Sequence, residues 1–463
     1  MLRTLVNQIA NKSVITHFKP LYHSFKRKHV AKKLMNRYSI KKQSEESPNV
    51  VLIVIDCFRW DHTSMSGYNR KTTPILQNLS TEGFLFRNCY APSSWTYPSV
   101  TSLLSGYYQH KHGGGIWTHN SPTEPREDIL LLPEILSNLG YQTMLMSDIY
   151  FAIMANQKRT ADFFYYHKNE INPIDLINKR TINFQENFFL NLHLGNLHVP
   201  LKLPKTFQNI FGKIDMSIDN LTSDWVYRNG DINRPAFAHF KENRIRLYDS
   251  ILRFTDSMIG SIITKIKEEC NNDTIFVITA DHGEEFWDHV ELEKKYFYSP
   301  QGHDGFGHGQ VGFGHGHNLF QEIIKIPLLI FGGNLRPTTS NEAVSLIDVF
   351  PTLLELLSIN HRIPVDGQSL LQPRKVNKIL SEGSNIGFEK KAIIKGDHKL
   401  ILSTNDDVSL LFNLKEDPME STPLNNPELK NQLKSELPQE NNIGSQQNLT
   451  KIMKERLKDL GYL

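Results

Sequence analysis

The sequence is poor in cysteine, with only Cys57, Cys89 and Cys270 among its 463 residues. This small, odd number excludes a disulfide framework and predicts a reducing compartment. The sequence also lacks any apolar run of about 18 residues and any signal-peptide core near its start, so we expect a cytoplasmic protein with neither a signal peptide nor a transmembrane segment. Neither sign of charge dominates: the net charge is +3, which indicates no nucleic-acid partner.

Positive charge is nonetheless concentrated at the start of the chain. Residues 1–48 contain eleven Lys or Arg residues, against only Glu45 and Glu46. Such a basic arm is either a solvated segment or a peripheral contact with an anionic membrane surface or another partner. The sequence alone leaves both interpretations open.

Strand and helix patterns alternate through the next part of the chain. The run "NVVLIVID" is continuous, apolar and β-branched, which is typical of a central strand buried on both faces. The repeated βαβ pattern predicts an α/β fold with a large, mostly parallel central sheet and helices on both faces. The longest helix is predicted over residues 240–271, where apolar residues recur at three- and four-residue steps.

The pattern changes after about residue 375. The stretches "KKAIIKGDHKLILST" and "VSLLFNLKED" predict short strands of a small antiparallel sheet, and "KIMKERLKDLGYL" predicts a terminal helix. We therefore divide the chain into the basic arm (1–48), the α/β domain (49–375) and a C-terminal subdomain (376–463).

The stretch "SSWTYPSVTSLLSG" predicts a turn that leads into a short helix. Pro98 near its start and Gly106 after its end predict a helix over residues 97–105. The free N–H groups and positive dipole at the start of such a helix suit a phosphate or sulfate. Thr96 is then either the N-cap or a nucleophile that faces the anion, and this stretch does not decide between them.

Polar side chains follow two of the predicted buried strands. Asp56 ends the first strand, and Asp281 with His282 ends the strand "TIFVITA". Ligands of open α/β sheets bind outside the carboxyl ends of the strands, so these residues and Thr96 are predicted to meet there. Two carboxylates, an imidazole and a hydroxyl suit Zn²⁺, Mn²⁺, Mg²⁺ or Ca²⁺. Bound to such an ion, the Thr96 hydroxyl is acidified and can attack phosphorus or sulfur.

Histidines provide the remaining candidates. The segment "GHDGFGHGQVGFGHGHN", which contains His303, His308, His315 and His317, is either a disordered insert or a loop that brings imidazoles over the site. His198, just past a strand end, is a second candidate to bind the anion or protonate the leaving group. His193 falls inside the strand pattern, so we interpret it as a core residue or a support for the ligands.

Taken together, several stretches resemble the sulfatase branch of the alkaline phosphatase superfamily. They are "NVVLIVIDCFRWDH", "TTPILQNLSTEGFLFRNCYAPSSWTYPSVTSLLSG", "ITADHGEEF", "GHGHNLFQEIIKIPLLIFGG", "DVFPTLLELL", "VDGQSLL" and "LFNLKEDPMESTPL", within residues 48–425. The resemblance implies an alkaline phosphatase-like fold. It implies that Asp56, Asp281 and His282 bind the metal and that Thr96 occupies the nucleophile position. It also implies that the two histidines His198 and His315 approach the substrate.

Three residues depart from the family pattern. Thr96 stands where sulfatases have a Cys or Ser that becomes formylglycine, and Val100 replaces the arginine of that motif. Cys57 replaces the usual second aspartate, so the resemblance favours Zn²⁺ or Mn²⁺ over Ca²⁺ or Mg²⁺. The chain is similar in this respect to phosphoethanolamine and phosphoglycerol transferases, which use a threonine. A phosphate ester or diester is therefore easier to justify as substrate than a sulfate ester.

Three functions remain open at this point. The first is a metal-dependent hydrolase that acts on a sulfated or phosphorylated glycan, lipid or small molecule with Thr96 as nucleophile. The second is a transferase that passes the group to a lipid or glycan hydroxyl at a membrane surface. The third is a catalytically silent binding protein with the same fold. Metal content and turnover on aryl esters, with and without an acceptor alcohol, distinguish them.

Overall fold

A computed structural model describes residues 14–15, 21–44, 47–118, 121–156, 159, 163–167, 183–223, 232–270, 273–297, 312–403 and 407–439. Its strands are β1 Val14–Ile15, β2 Lys41–Lys42, β3 Asn49–Ile55, β4 Gly83–Tyr90, β5 Trp117–Thr118, β6 Ser121–Pro122, β7 Gln142–Ser147, β8 Phe163–His167, β9 Phe188–Leu194, β10 Thr274–Ala280, β11 Glu285–Phe286, β12 Phe313–Gly314, β13 Lys325–Gly332, β14 Thr338–Ser345, β15 Ile359–Asn360, β16 Lys378–Glu382, β17 Lys391–Lys395, β18 His398–Ser403 and β19 Val408–Asn413. Its α-helices are α1 Leu21–Arg37, α2 Pro74–Leu79, α3 Thr96–Ser105, α4 Gln109–His112, α5 Leu132–Asn138, α6 Tyr150–Asn156, α7 Phe237–Glu269, α8 Val290–Tyr296, α9 Gln321–Ile324, α10 Val349–Leu356 and α11 Pro427–Ser435.

The main sheet has the strand order β1-β8-β7-β9-β3-β10-β13-β4-β14. Strand β3 lies at its middle and runs parallel to both neighbours, β9 and β10. Every residue of these three strands is buried, as a sheet covered on both faces requires. The predicted α/β architecture and the central place of the first strand are confirmed.

One central strand, β13, runs against its neighbours. It pairs antiparallel with β10 on one side and with β4 on the other. A strand parallel to β10 would require the chain to cross to the opposite edge of the sheet. Instead, β10 ends at Ala280 and β13 begins at Lys325 on the same edge, so β13 runs in the opposite direction. Because β4 is antiparallel to β13, it is parallel to β10, and the chain after β4 emerges beside the end of β10. The start of helix α3 is thereby brought to the edge where Asp56 and Asp281 lie.

Helix α7 supports the segment that follows β3. Its buried stripe includes the predicted residues Tyr248, Leu252, Ile259, Ile262, Ile263 and Ile266, while Ile245 is only half-buried. Polar groups on the same helix bind loops: Asp256 accepts the backbone N–H groups of Ile75 and Leu76 at the start of α2. Tyr248 contacts the backbone immediately after β3, as described below.

The C-terminal strands form the predicted antiparallel sheet, in the order β16-β17-β18-β19. This sheet contacts the main domain near the predicted site, because the backbone N–H groups of Asn385 and Ile386 both donate to the carbonyl of Gly316. Ser94 Oγ also donates to the carbonyl of Gly383, at 3.0 Å. The helix predicted at 451–463 lies outside the described residues.

Helix α1, the longest described element of the basic arm, packs on the main domain. Ala31, Leu34 and Met35 are buried in the main core. Arg27 donates to both carboxylate oxygens of Glu134 on α5, at 2.5 and 2.9 Å. Lys28, Lys32 and Lys33 are exposed on the opposite side. Among the described helices, none combines the length and apolar character that crossing a membrane requires. The boundaries at residues 48 and 375 stay predictions.

Candidate active site

Thr96 is the first residue of helix α3, and its side chain points to the predicted site. The N-cap is Trp95, whose backbone is extended, and no side chain caps the helix. Gly106 ends the helix in the left-handed region, as the sequence predicts (φ +74°). The Oγ1 atom of Thr96 lies 3.3 Å from Asp56 Oδ2 and 3.2 Å from His282 Nε2. The interpretation of Thr96 as an N-cap is therefore wrong, and its hydroxyl faces the acidic cluster.

Asp56, Asp281 and His282 meet at the carboxyl edge of the sheet. They follow the adjacent parallel strands β3 and β10, and their ligand atoms lie within 4.8 Å of one another. His282 Nε2 is 3.4 Å from Asp281 Oδ2 and 3.7 Å from Asp56 Oδ1. All three residues are fully buried. The structure thus brings together the four residues predicted to surround a cation.

These residues fit a divalent cation. His282 Nδ1 lies 2.8 Å from the carbonyl of Gly283, so its N–H donates there and the lone pair of Nε2 faces the carboxylates. The buried Oδ2 atom of Asp281 has no hydrogen-bond partner. A buried carboxylate oxygen without a hydrogen bond is costly, and a cation held by this site would satisfy it more fully than His193 Nε2, which lies 3.5 Å away.

His193, at the end of β9, supports the two carboxylates. Its Nε2 atom lies 3.5 Å from Asp56 Oδ2 and 3.5 Å from Asp281 Oδ2. Burial would lower the pKa of His193, but the carboxyl groups of Asp281 and Asp56 raise it to about 9. Burial would likewise raise the pKa of Asp56, yet His193 and His282 hold it well below its usual value. His193 thus supports the ligands, one of the two roles that the sequence left open.

Cys57 has a backbone conformation that is rare for a non-glycine residue (φ +58°). Tyr248 holds this backbone, because its hydroxyl donates to the Cys57 carbonyl at 2.7 Å and accepts the N–H of Arg59 at 3.1 Å. The Cys57 sulfur lies 2.9 Å from Asp56 Oδ1 and 3.6 Å from His315 Nδ1. Burial, together with the charges of Asp56 and Glu284, raises the pKa of the Cys57 thiol well above its usual value.

His315 and His198 complete the site. His315 packs against the rings of His282 and His198, with ring centroids 4.3 and 5.3 Å apart. Its Nδ1 atom lies 2.7 Å from Glu284 Oε2. Burial would raise the pKa of Glu284, but the charge of His315 lowers it. His198 Nδ1 is 2.7 Å from the carbonyl of Val199.

Sequence reasoning did not single out Glu284 or Arg59. Glu284 comes directly after the "DHG" stretch, and this position was the available signal. Arg59 Nη1 donates to the Glu284 carbonyl at 3.1 Å and to Asp288 at 2.7 Å. Arg59 therefore fixes the segment that carries Glu284. Val100 stands at the position of the arginine in the family motif. Its side chain is apolar and buried in helix α3, so this position offers no positive charge to the site.

Among the described residues of the Gly-rich segment, His317 does not join this site. His317 lies beside Glu285 and Glu293 instead, with Nε2 2.9 and 3.1 Å from their oxygens. His303 and His308 lie outside the described residues. Of this segment, the structure therefore places only His315 among the described site residues.

Comparisons with known proteins agree with this geometry. A family model described as Sulfatase matches residues 48–359. An arylsulfatase of Clostridium perfringens is 24% identical, covering 82% of this chain and 91% of its own. The solved structure of BT4656 with its substrate D-glucosamine-2-N,6-O-disulfate has a TM-score of 0.61 at 18% identity, covering 90% of this chain and 98% of its own. A phosphonate monoester hydrolase of Agrobacterium radiobacter has a TM-score of 0.58 at 15% identity, covering 84% and 94%.

Proposed function

Because this chain belongs to the sulfatase family of sulfuric ester hydrolases, we propose that it hydrolyses a sulfate ester with Thr96 as the nucleophile. One observation carries the proposal: the Thr96 hydroxyl lies 3.3 Å from Asp56 and 3.2 Å from His282, at the start of a helix. Helix N-termini favour anions, so the negative ester group is attracted to the atom that attacks it.

Asp56, Asp281 and His282 would hold the divalent ion on which the sulfatase family depends. When bound, the ion would acidify the Thr96 hydroxyl and neutralise charge on the ester oxygens. We propose Zn²⁺ or Mn²⁺ ahead of Ca²⁺ or Mg²⁺, because an imidazole takes part in the donor set. Asp56 also orients the nucleophile by accepting its hydroxyl proton in a hydrogen bond.

The reaction has two steps in this proposal. Thr96 releases its hydroxyl proton to solvent, its Oγ1 atom forms a bond to sulfur while the bond from sulfur to the leaving oxygen breaks, and His315 or His198 protonates that oxygen. Glu284 orients His315 through Nδ1, which leaves its other ring nitrogen for the substrate. Threonine has no aldehyde through which to expel sulfate, so the second step needs water. The water oxygen bonds to sulfur, the bond from sulfur to Thr96 Oγ1 breaks and sulfate leaves, while the imidazole that gave up its proton accepts one from the water and Thr96 Oγ1 returns to its starting state.

A sulfated sugar is the substrate class that we propose. BT4656, which shares this fold, binds D-glucosamine-2-N,6-O-disulfate. The imidazoles of His198 and His315 lie next to the residues that would hold the cation. They can bind a small anionic group such as a sulfate ester and protonate the sugar hydroxyl that leaves.

A phosphate or phosphonate ester is the second candidate substrate. The unmodified threonine favours it, since a phosphoryl-threonine is an ordinary hydrolysable ester, and a phosphonate monoester hydrolase has this fold. The same four residues would act in the same roles on phosphorus.

Turnover assays on aryl sulfate, aryl phosphate, aryl phosphonate and bis-aryl phosphate test this proposal. We expect the highest turnover on the sulfate ester and a covalent adduct on Thr96, assigned by accurate-mass peptide analysis. Thr96→Ala should abolish both. Thr101→Ser, in the same buried helix, is the matched control and should retain activity.

Each alternative predicts its own result in these assays. Turnover only with an added acceptor alcohol would replace the hydrolase with a transferase. No turnover on any ester, together with no bound metal, would favour the silent binding protein. Turnover that survives in Thr96→Ala would contradict the assigned nucleophile.

We also propose that the exposed basic side of α1 contacts an anionic surface in the cytoplasm. Lys28, Lys32 and Lys33 are exposed there, while the opposite side of α1 is buried. Co-sedimentation with phosphatidylserine vesicles should weaken as salt rises and in a Lys32→Glu/Lys33→Glu variant. Binding that is insensitive to both changes would contradict this contact.

A further inference from the structure

We propose that Cys57 is a direct ligand of the catalytic cation, so that a thiolate joins the carboxylates of Asp56 and Asp281 and the imidazole of His282. The proposal rests on the proposed function, because it requires a cation among those three residues. It adds a ligand that makes the site selective for thiophilic metals.

The sulfur lies among the atoms that would hold the cation. Cys57 Sγ is 2.9 Å from Asp56 Oδ1, and its distances to the ligand nitrogens of His282 and His315 are within 4.8 Å. Ligand atoms that share one tetrahedral zinc lie roughly 3.3–3.6 Å apart, given zinc bond lengths of about 2.0–2.3 Å. His282 Nε2 is 3.4 Å from Asp281 Oδ2 and 3.7 Å from Asp56 Oδ1. The sulfur therefore lies beside Asp56 and near the imidazole of His282, two of the residues that would hold the ion.

The backbone explains how neighbouring residues reach the same ion. In a continuing strand, Asp56 and Cys57 would point to opposite faces of the sheet. The positive φ of Cys57 breaks that alternation immediately after β3. Tyr248 secures this conformation from both sides of Phe58, through the Cys57 carbonyl and the Arg59 N–H. Strained backbone of this kind persists where surrounding contacts hold it and often serves a site.

An independent observation points to the ion itself. Asp281 Oδ2 is fully buried without a hydrogen-bond partner, on the same side as His282 Nε2. A second ion held by Cys57, His282 and His315 would need that same Nε2 lone pair, because Nδ1 already donates to Gly283. Both ligand sets use this one lone pair of His282, so the structure favours one ion shared between them over two separate ions.

A thiolate ligand changes which metal the site prefers. Thiolates favour zinc and similar thiophilic ions, whereas a ligand set of carboxylates alone favours Mg²⁺, Ca²⁺ or Mn²⁺. We expect Zn²⁺ to bind far more tightly than Mn²⁺. Removal of the sulfur should reduce Zn²⁺ affinity by at least about 100-fold, since even outer-shell partners contribute roughly 10- to 100-fold.

Cobalt substitution tests this ligand directly. The full chain is stripped of metal with a chelator and titrated with Co²⁺, and absorption spectra are recorded. We expect a near-ultraviolet sulfur-to-cobalt charge-transfer band that saturates at one equivalent. Cys57→Ser should lose the band and still bind Co²⁺ more weakly. The Cys89→Ser/Cys270→Ser variant, which keeps Cys57 as its sole cysteine, should retain the band.

Extended X-ray absorption fine-structure spectroscopy of the zinc-loaded wild-type protein tests the sulfur ligand without depending on the folding of a variant. One sulfur at about 2.3 Å from zinc is expected. A zinc shell of nitrogen and oxygen alone, or a charge-transfer band that persists in Cys57→Ser, would overturn the proposal for Cys57 while leaving the catalytic ion in place. Saturation at two equivalents would overturn the single shared ion. Absence of any binding of Co²⁺ or Zn²⁺ would overturn the proposed metal mechanism itself.

Discussion

Two buried clusters in this protein offer the same kinds of side chain but differ in the hydrogen bonds that their carboxylate oxygens accept. Each has three metal-capable residues within 4.8 Å: Asp56, Asp281 and His282 form the catalytic cluster, and Glu285, Glu293 and His317 form the satisfied cluster. In the catalytic cluster, Asp281 Oδ2 has no hydrogen-bond partner, and the imidazoles of His282 and His193 lie 3.4 and 3.5 Å from it. In the satisfied cluster, which is named for its carboxylates, Asn318 Nδ2 donates to both glutamates and the N–H of Gly312 donates to Glu293, while the buried Nδ1 of His317 has no hydrogen-bond partner.

The difference teaches that ligand types alone do not define a metal site. His317 neutralises the second cluster, because its charge and hydrogen bonds bind both glutamates. Burial would lower the pKa of His317, but Glu293 and Glu285 raise it to about 10. Burial and the charge of Glu293 raise the pKa of Glu285 to about 8. A cation entering there would have to displace His317 and the amide of Asn318, so we assign this cluster to stability.

The largest expected effect comes from Asp281→Asn. This change removes a ligand charge from the catalytic cluster, and turnover should fall by roughly 10³-fold or more, as for loss of central catalytic groups in hydrolases. Bound metal, measured by elemental analysis, should fall with it, while the melting temperature of the metal-free protein stays within a few degrees. Retention of one full equivalent of metal would show that the catalytic cluster is not where the cation binds.

His317→Gln is the matched test of the satisfied cluster. Loss of the imidazolium leaves two buried carboxyl groups without their cation, and breaking such a pair costs about 3–5 kcal/mol. Urea denaturation should show that loss in the free energy of unfolding. Metal content should stay unchanged at temperatures where the variant is folded. Loss of metal without loss of stability would reverse the roles that we assign to the two clusters.

Glu284→Gln should have a smaller effect, on the rate of the reaction. Glu284 holds His315 through Nδ1 at 2.7 Å, so kcat should fall by about 10- to 100-fold while KM changes little. The pH profile of kcat should change as well, because the variant lacks the Glu284 carboxyl group, whose pKa His315 holds below its usual value. An unchanged profile with reduced stability would indicate a structural role for Glu284.

The smallest effect concerns the pH dependence of stability. The pKa of His317 is raised from 6.5 to about 10, so its stabilising contribution is fully present below the unfolded value and is lost as pH rises towards 10. The pKa of Glu285 is raised from 4.5 to about 8, so its contribution to stability is likewise lost as the pH rises between these two values. Between pH 7 and 8, wild-type stability should fall by about 1 kcal/mol more than that of His317→Gln. Equal slopes in urea titrations at both pH values would contradict the charged state of His317.

Much of the catalytic cluster could be predicted because it depends on local pattern. Asp56, Asp281 and His282 directly follow continuous apolar strands, and parallel strands deliver their carboxyl ends to one edge. Thr96 was identified from the residues around it and from its family resemblance. The cap interpretation of Thr96 was wrong because helix α3 begins one residue earlier than its proline predicts.

Other features had no local signal. Glu284 and Glu285 are adjacent acidic residues in the sequence, yet one binds His315 and the other binds His317. The sequence left open whether the basic arm is solvated or contacts a surface, and it gave no signal that Ala31, Leu34 and Met35 of α1 pack against the main core. The direction of β13 depends on its antiparallel pairing with β10 and β4, and no periodicity encodes that.

The sequence by itself determined the buried strands, the residues that follow them and the threonine at the start of a helix, because these depend on short-range apolar pattern and turn chemistry. Only the tertiary structure decided which histidine and which glutamate face the catalytic cluster. Alternate residues of an extended segment point to opposite sides. The pairing of β11 with β12, in which Glu285 lies opposite Gly314, decides that Glu284 faces His315 and Glu285 faces His317. That register is a contact between distant parts of the chain.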